Sequence, residues 1–314
     1  MGPGNHYHFS GAPAITDICK RPQSPGKDSA MNTTLLLATD LSHECQAALV
    51  RALHLSQRSQ SRLDILHVVD PYLPEHTFPA LVHAIEEEID RTLNALCEHH
   101  ELTRPATEIH IVSGVPYAEI IREAYERSAS MIVMGTHRKQ GQPDLIGGTT
   151  LSRVMRRAPC PVVSIPHDGE PDWQDILVPV DFSLASRHTL KEVLTRFPNV
   201  RLTLLHAWDM PVAMELCEGT NYQHWRDLER QRLRQQLELE TERLMSDLHA
   251  RPDLELVLQQ GDPSQVLLDR LCQQPPDLLA LGSHIRVGIG RATDSLLERL
   301  LTETRGDLML CRTW

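Results

Sequence analysis

The chain repeats itself, and that duplication restricts its fold more than any other feature. The segment Thr34-Leu-Leu-Leu-Ala-Thr-Asp40-Leu-Ser42 returns as Asp175-Ile-Leu-Val-Pro-Val-Asp181-Phe-Ser183. Arg62-Leu-Asp-Ile-Leu-His67-Val-Val returns as Arg201-Leu-Thr-Leu-Leu-His206-Ala-Trp. Gly114-Val-Pro116 matches Gly261-Asp-Pro263, and Met131-Ile-Val-Met-Gly135-Thr-His137 matches Leu279-Ala-Leu-Gly282-Ser-His284. The offset drifts only from 141 residues (Asp40 to Asp181) to 147 (Gly135 to Gly282), which small insertions absorb. Matches that keep their order at nearly constant spacing reflect duplication, because chance similarity keeps neither. The 314 residues therefore hold two like units, each long enough to bury a core of its own.

Within each unit, short apolar runs alternate with helical patterns. In the first copy, residues 34–39, 63–69, 107–112, 131–135 and 162–165 read as strands, and 44–59, 80–99, 116–128 and 149–157 as helices. Continuous apolar strands separated by helices predict a parallel sheet covered on both faces. Each copy is thus expected to be an α/β, Rossmann-like unit with a five-stranded parallel sheet and helices on both sides. Ser42 and Ser183 suit N-caps of the first helix of each copy, and Pro116 and Pro263 suit first helical turns. The second copy has a longer second helix near 222–250, with Leu228, Leu233, Leu237 and Leu244 as its apolar stripe.

The expected boundaries are a flexible arm over residues 1–31, a first domain over 32–166, a linker over 167–172 and a second domain over 173–314. The arm is rich in Gly, Pro and Ser without apolar periodicity, so it cannot offset its ordering entropy. Its His6 and His8 read as solvated.

A net charge of −11 argues against nucleic acid or an anionic membrane as the main partner, since both repel an acidic surface. The seven cysteines form no C-x-x-C pair, which reads as free thiols in a reducing compartment. No apolar run reaches membrane-spanning length, and the start lacks the order of a secretory signal. A cytoplasmic location is the expectation.

In an open doubly wound sheet, ligands bind beyond the carboxyl ends of the strands, where strand order reverses. The residues that the pattern places there in copy one are Thr39 and Asp40 after the first strand, Val68 near the end of the second, and Gly135 ending the fourth. A loop then leads to Gly147-Gly148-Thr149-Thr150 at the start of the fourth helix. Glycines let backbone N–H groups approach a phosphate, hydroxyls add donors, and a helix N-terminus favours an anion. Asp40 suits hydrogen bonding to a ribose or a base. On the bland alternative, the two glycines only shape a loop and cap a helix.

The Asp after strand one, G-x-P before helix three, M-G-T-H after strand four, and the closing G-T-T-L-S-R-V-M-R-R-A-P-C-P-V resemble the universal stress protein family. The likeness covers nearly all of residues 32–314 as a tandem pair. It implies a stress-response regulatory or binding protein with the adenine nucleotide alpha hydrolase-like fold. The ATP-binding branch of the family carries G-x2-G-x9-G-[ST]. Copy one keeps Gly135 and Gly148-Thr149 with Arg138 at the second glycine, where the guanidinium either occludes the turn or contacts phosphate. The resemblance thus implies ATP or a related adenine nucleotide in copy one, with Mg if ATP binds, held by Thr39, Asp40, Val68, Gly135, His137, Arg138, Gly148, Thr149 and Thr150. Copy two departs further. Its counterpart set is Asp181, Gly282, Ser283 and Ser295, with Ile285 at the second glycine and Asp294 where it would repel a polyphosphate.

The family likeness also implies pairing through the last strands, here residues 161–165 and 307–311 within one chain, and a further homodimer. No Ser-His-Asp order, paired-carboxylate site or metal-ligand spacing stands out, and His43-Glu-Cys45 reads as helix-start polarity. A slow ATPase or nucleotide switch, and an interaction scaffold without nucleotide, stand as the alternatives. His67 and His206 read as hydrogen-bonded core residues, and Cys160 and Cys311 as small apolar ones.

Overall fold

The computed structural model describes residues 33–136, 149–166, 172–209, 220–284, 291–304 and 306–313. The first copy runs β1 (Thr34–Ala38), α1 (Gln46–Ser59), β2 (Arg62–Val69), α2 (Phe78–His99), β3 (Thr107–Ser113), α3 (Pro116–Glu126), β4 (Met131–Gly135), α4 (Thr150–Arg157) and β5 (Val162–Ile165). The second repeats the order as β6 (Asp175–Pro179), α5 (Leu184–Arg196), β7 (Arg201–Trp208), α6 (Thr220–Leu248), β8 (Asp253–Gln260), α7 (Pro263–Gln273), β9 (Leu278–His284), α8 (Arg291–Glu303) and β10 (Asp307–Thr313).

The strands form one ten-stranded sheet in the order β3-β2-β1-β4-β5-β10-β9-β6-β7-β8. Each half carries the doubly wound order 3-2-1-4-5, and its chain direction across the sheet reverses between the first and fourth strands. All pairings are parallel except the central one, where β10 runs antiparallel to β5 with Leu308, Met309 and Leu310 opposite Ser164, Val163 and Val162.

Period-two alternation splits the apolar residues into two layers. Leu35, Leu37, Ile176, Val178, Met309 and Cys311 face one core, while Leu36, Ala38, Leu177, Leu308 and Leu310 face the other. Both layers continue across the junction, so strands near the centre are apolar throughout. The edges β3 and β8 instead carry Glu108, His110, Asp253 and Glu255, a pattern that discourages further strand pairing. No described helix is long and apolar enough to cross a membrane.

Polar contacts stitch the halves together. Arg196 Nη2 donates to Ser130 O at 2.8 Å, and Arg156 pairs with Glu298 at 2.8 Å. Arg51 of α1 pairs with Asp307 of β10 at 2.8 Å, with 3% and 1% of their side chains exposed. Trp173 Nε1 donates to the same carboxylate at 2.6 Å, and the Arg51 guanidinium lies 5.0 Å above its ring. Cys311 is fully buried, and burial pushes its thiol up to about 12.

Two local expectations need correction. Ser42 does not cap α1: a short 3-10 turn, His43–Cys45, intervenes, and the Ser42 side chain makes no cap hydrogen bond. Ser183 does cap α5, accepting from Ser186 N at 3.2 Å. On α6, Leu233 and Leu237 are buried, but Leu228 is 42% exposed. Five residues separate Leu228 from Leu233, which turns it about 140° away from the core stripe.

Candidate functional site

The reversal points place the C-terminal ends of β1 and β4, and of β6 and β9, beside crevices of the kind that hold ligands. In copy one β1 hands over to a tight turn. Asp40 Oδ1 accepts from Ser42 N at 3.0 Å, and Thr39 Oγ1 accepts from Leu41 N at 3.0 Å. Between them Leu41 takes the left-handed region at φ 64°. Copy two repeats this: Asp181 Oδ1 accepts from Ser183 N at 3.0 Å, and Phe182 sits at φ 60°. A side chain in this region costs roughly 1–2 kcal/mol, which the Asp-to-backbone bond offsets in both turns. Sequence reasoning did not single out these two residues, although the Asp-x-Ser signature is that of an Asx turn.

The strand-two histidines hold the same turn from beneath. His67 Nδ1 lies 3.0 Å from Thr39 O, and His206 Nδ1 lies 2.7 Å from Val180 O. Both rings thereby fix the carbonyl that precedes the aspartate, the hydrogen-bonded role expected for them.

Gly135 ends β4 against the start of α1. A Cβ there would lie 2.9 Å from Cys45 Sγ, so only glycine lets the strand end approach so closely. Burial, and then the neighbouring Asp40, push the Cys45 thiol up, which makes it a packing group at the crevice floor. Thr149 caps α4, accepting from Ser152 N at 3.2 Å, and both Thr149 and Thr150 are exposed. The remaining N–H groups of this first turn point away from the helix body. Arg153 and Arg157 of the same helix lie over the Tyr117 ring at 5.1 and 5.7 Å, adding positive charge alongside. Val68 is half-buried in β2 opposite Val112.

Thr39, Asp40, Gly135, Thr149 and Thr150 therefore lie at the carboxyl side of β1 and β4. His137, Arg138 and Gly148 lie outside the described residues. In copy two, Asp181 follows β6, and Gly282 and Ser283 lie within β9 beside β10. Ser295 falls in α8, and its side chain is outside the description.

The copy-two crevice is built differently. A Cβ on Gly282 would lie 2.6 Å from the carbonyl carbon and oxygen of Ala185. Phe182 packs on His206 with ring centroids 4.7 Å apart. Trp208, at the position of Val69, is buried with Leu233. Aromatic rings thus stand where copy one has Leu41 and Val69.

Among the described residues, Asp64, Glu108 and His110 bring potential metal-ligand atoms within reach of one another. They sit at the opposite end of the strands. Arg62 fills the place of a cation there: Nε is 2.8 Å from Asp64 and Nη1 is 2.8 Å from Glu108. Burial raises the Asp64 carboxyl and lowers the His110 imidazole, so this is a structural ion-pair cluster.

The family model described as "Universal stress protein family" matches residues 31–166 and again residues 172–312. Universal stress protein A homolog 1 of Coxiella burnetii is 30% identical over 138 residues, covering 42% of this chain and 94% of that protein. Universal stress protein YxiE of Bacillus subtilis is 27% identical over 147 residues, covering 43% and 99%. A crystal structure of a universal stress protein from Archaeoglobus fulgidus DSM 4304 covers 89% of this chain and 96% of its own, with a TM-score of 0.62 and 18% identity.

Proposed function

We propose that this chain, which belongs to the universal stress protein family as a tandem two-domain member, is a stress-response binding protein that holds ATP or a related adenine nucleotide in copy one. The observation that carries this reading is the juxtaposition at one reversal point of the Asp40 turn, the glycine-floored end of β4 and the hydroxyl-capped start of α4. These suit the three parts of a nucleotide. Asp40, a hydrogen-bond acceptor, faces a ribose or base. Thr149, Thr150 and the helix N-terminus offer donors to phosphate. Gly135 leaves backbone at the floor. Val68 lies at the base side, and His137, Arg138 and Gly148 complete the loop in this reading. Magnesium would accompany ATP and would offset the charge of its phosphates beside Thr149 and Thr150.

Copy two is better suited to a supporting or partner role, because Phe182 and Trp208 stand where copy one has Leu41 and Val69 and Asp294 of α8 stands near the place of the motif glycine. A slow ATPase is the rival in copy one. A cytoplasmic setting, and a pair of domains joined through β5 and β10, belong to the same reading.

Denaturing the purified full chain and chromatographing the extract should release adenine nucleotide, or millimolar ATP with magnesium should raise the melting temperature. Asp40→Ala and Gly148→Leu should each weaken binding by about tenfold or more, the loss of roughly 1.4 kcal/mol, while Asp181→Ala leaves it unchanged. No nucleotide in the extract together with no thermal shift would overturn the proposal. Release of ADP over hours would favour the slow ATPase over passive binding.

A further inference from the structure

Helix α6 carries two apolar stripes on opposite sides. The inner one, with Leu233 at 7% and Leu237 at 2% exposure, packs on the sheet. The outer one consists of Trp225, Leu228 and Leu239, exposed at 49%, 42% and 67%. At 100° per residue, positions 225, 228, 232, 235 and 239 fall within one sector of about 80°, turned away from the core. The sector spans about 21 Å of the helix, with Trp225 and Leu228 towards one end, Leu239 at the other, and Arg232 and Gln235 between them. Three large apolar side chains aligned on one solvent face mark an association surface, where isolated ones would mean nothing. The copy-one counterpart α2 has 22 residues against 29 in α6, so this longer helix belongs to the second copy alone.

The charge along α6 indicates what covers the stripe. In the N-terminal half Arg226, Arg230, Arg232 and Arg234 outnumber Asp227 and Glu229. In the C-terminal half Glu238, Glu240, Glu242 and Asp247 outnumber Arg243. A helix that is basic at one end and acidic at the other is complementary to itself when antiparallel, the arrangement a two-fold axis imposes. Packing two α6 helices this way sets Leu228 of each chain opposite Leu239 of the other and brings Arg232 near Glu238. The present partners of these charges are within the same helix, Arg232 with Glu229 and Arg234 with Glu238. Such exposed pairs are weak and exchange readily. The edge strands β3 and β8 offer charged faces in place of a competing apolar surface.

We propose that the outer stripe of α6 is a self-association surface on which a second copy of this chain packs antiparallel. It is independent of the nucleotide reading and gives the homodimer a location away from the β5–β10 junction. A stripe of this size supports a small interface and a concentration-dependent dimer.

Sedimentation velocity of the full chain from micromolar to near-millimolar concentration tests it. The wild type should pass from monomer to dimer. Trp225→Glu with Leu239→Glu should raise the dissociation constant by about tenfold or more, with an unchanged circular dichroism spectrum because both side chains are exposed. Arg232→Glu alone should weaken the dimer, and adding Glu238→Arg should restore it, which a fold defect could not do. A wild type that stays monomeric, or a dimer equally stable in the double glutamate variant, would overturn the proposal.

Discussion

Gly282→Ala is expected to destabilise the protein by about 3 kcal/mol, at the upper end of the usual cost of overpacking. The added Cβ would sit 2.6 Å from the carbonyl carbon and oxygen of Ala185 and 2.9 Å from Ser186 N. These are backbone atoms in the first turn of α5, held by the Ser183 cap, so no side chain can rotate away. Relief requires moving the helix off β9 and opening the core layer formed by Ala280, Cys311 and Val193. Gly135→Ala at the matching place in copy one should cost less, about 1 kcal/mol. There the nearest atom, at 2.9 Å, is the Cys45 thiol sulfur, and backbone comes no closer than 3.2 Å. Urea unfolding reads both as a shift in midpoint at unchanged slope. Equal costs in the two copies would contradict this account of the glycines. The comparison bears on function as well. The first glycine of the nucleotide motif has a packing role in both copies, so its presence in copy two is no sign of a binding site.

Arg51→Ala should be the most damaging single change at the junction, at about 4 kcal/mol, the usual cost of stranding one partner of a buried ion pair. Arg51 and Asp307 come from different copies, and Trp173 hydrogen-bonds the same carboxylate. Removing the arginine leaves a carboxylate with 1% exposure facing Asp277 and only a tryptophan N–H. Arg51→Met combined with Asp307→Leu should recover most of the loss, because apolar groups of similar volume need no counter-charge. Failure of the double variant to recover would mean that the pair holds more than its own charges.

The same carboxylate has a pH signature. Burial, only partly opposed by Arg51 and the Trp173 hydrogen bond, raises Asp307 from 3.8 to about 6. The folded chain therefore binds this proton more tightly than the unfolded chain. The stability it contributes is fully present below 3.8 and is lost as pH rises through about 6. Around Asp307, the facing groups are Arg51 of α1, Trp173, and Asp277 before β9. Asp307→Asn should flatten the stability profile across that window, and unfolding curves taken on either side of it measure the change. An unaltered slope would show that Asp307 ionises normally in the fold.

Much of this was readable from the chain alone. Period and composition are local properties, so the duplication, the order of strands and helices, and the exact spans 131–135 and 162–165 followed directly. The strand-two histidines were also placed correctly, because a polar residue in a buried strand needs a hydrogen-bond partner. Sequence reasoning was misled where phase or local geometry decided. Spacing places Leu228 on the inner stripe of α6 although it tolerates either face, and the structure turns it outward. The Asp-x-Ser pattern suits Ser42 to a capping role that the intervening 3-10 turn removes.

By itself, then, the sequence determined the tandem α/β architecture, the family, and the strand ends where a ligand could bind, since all of these follow from apolar periodicity and motif order. Only the tertiary structure decided which side chains share those ends. It also decided that two unrelated positions, Arg51 and Asp307, bury opposite charges together at the junction, that Phe182 packs on His206 and Trp208 on Leu233 in the second copy, and that α6 keeps apolar side chains in solvent. Each of these depends on contacts between residues far apart in the chain, and their burial is set by packing that no local pattern encodes.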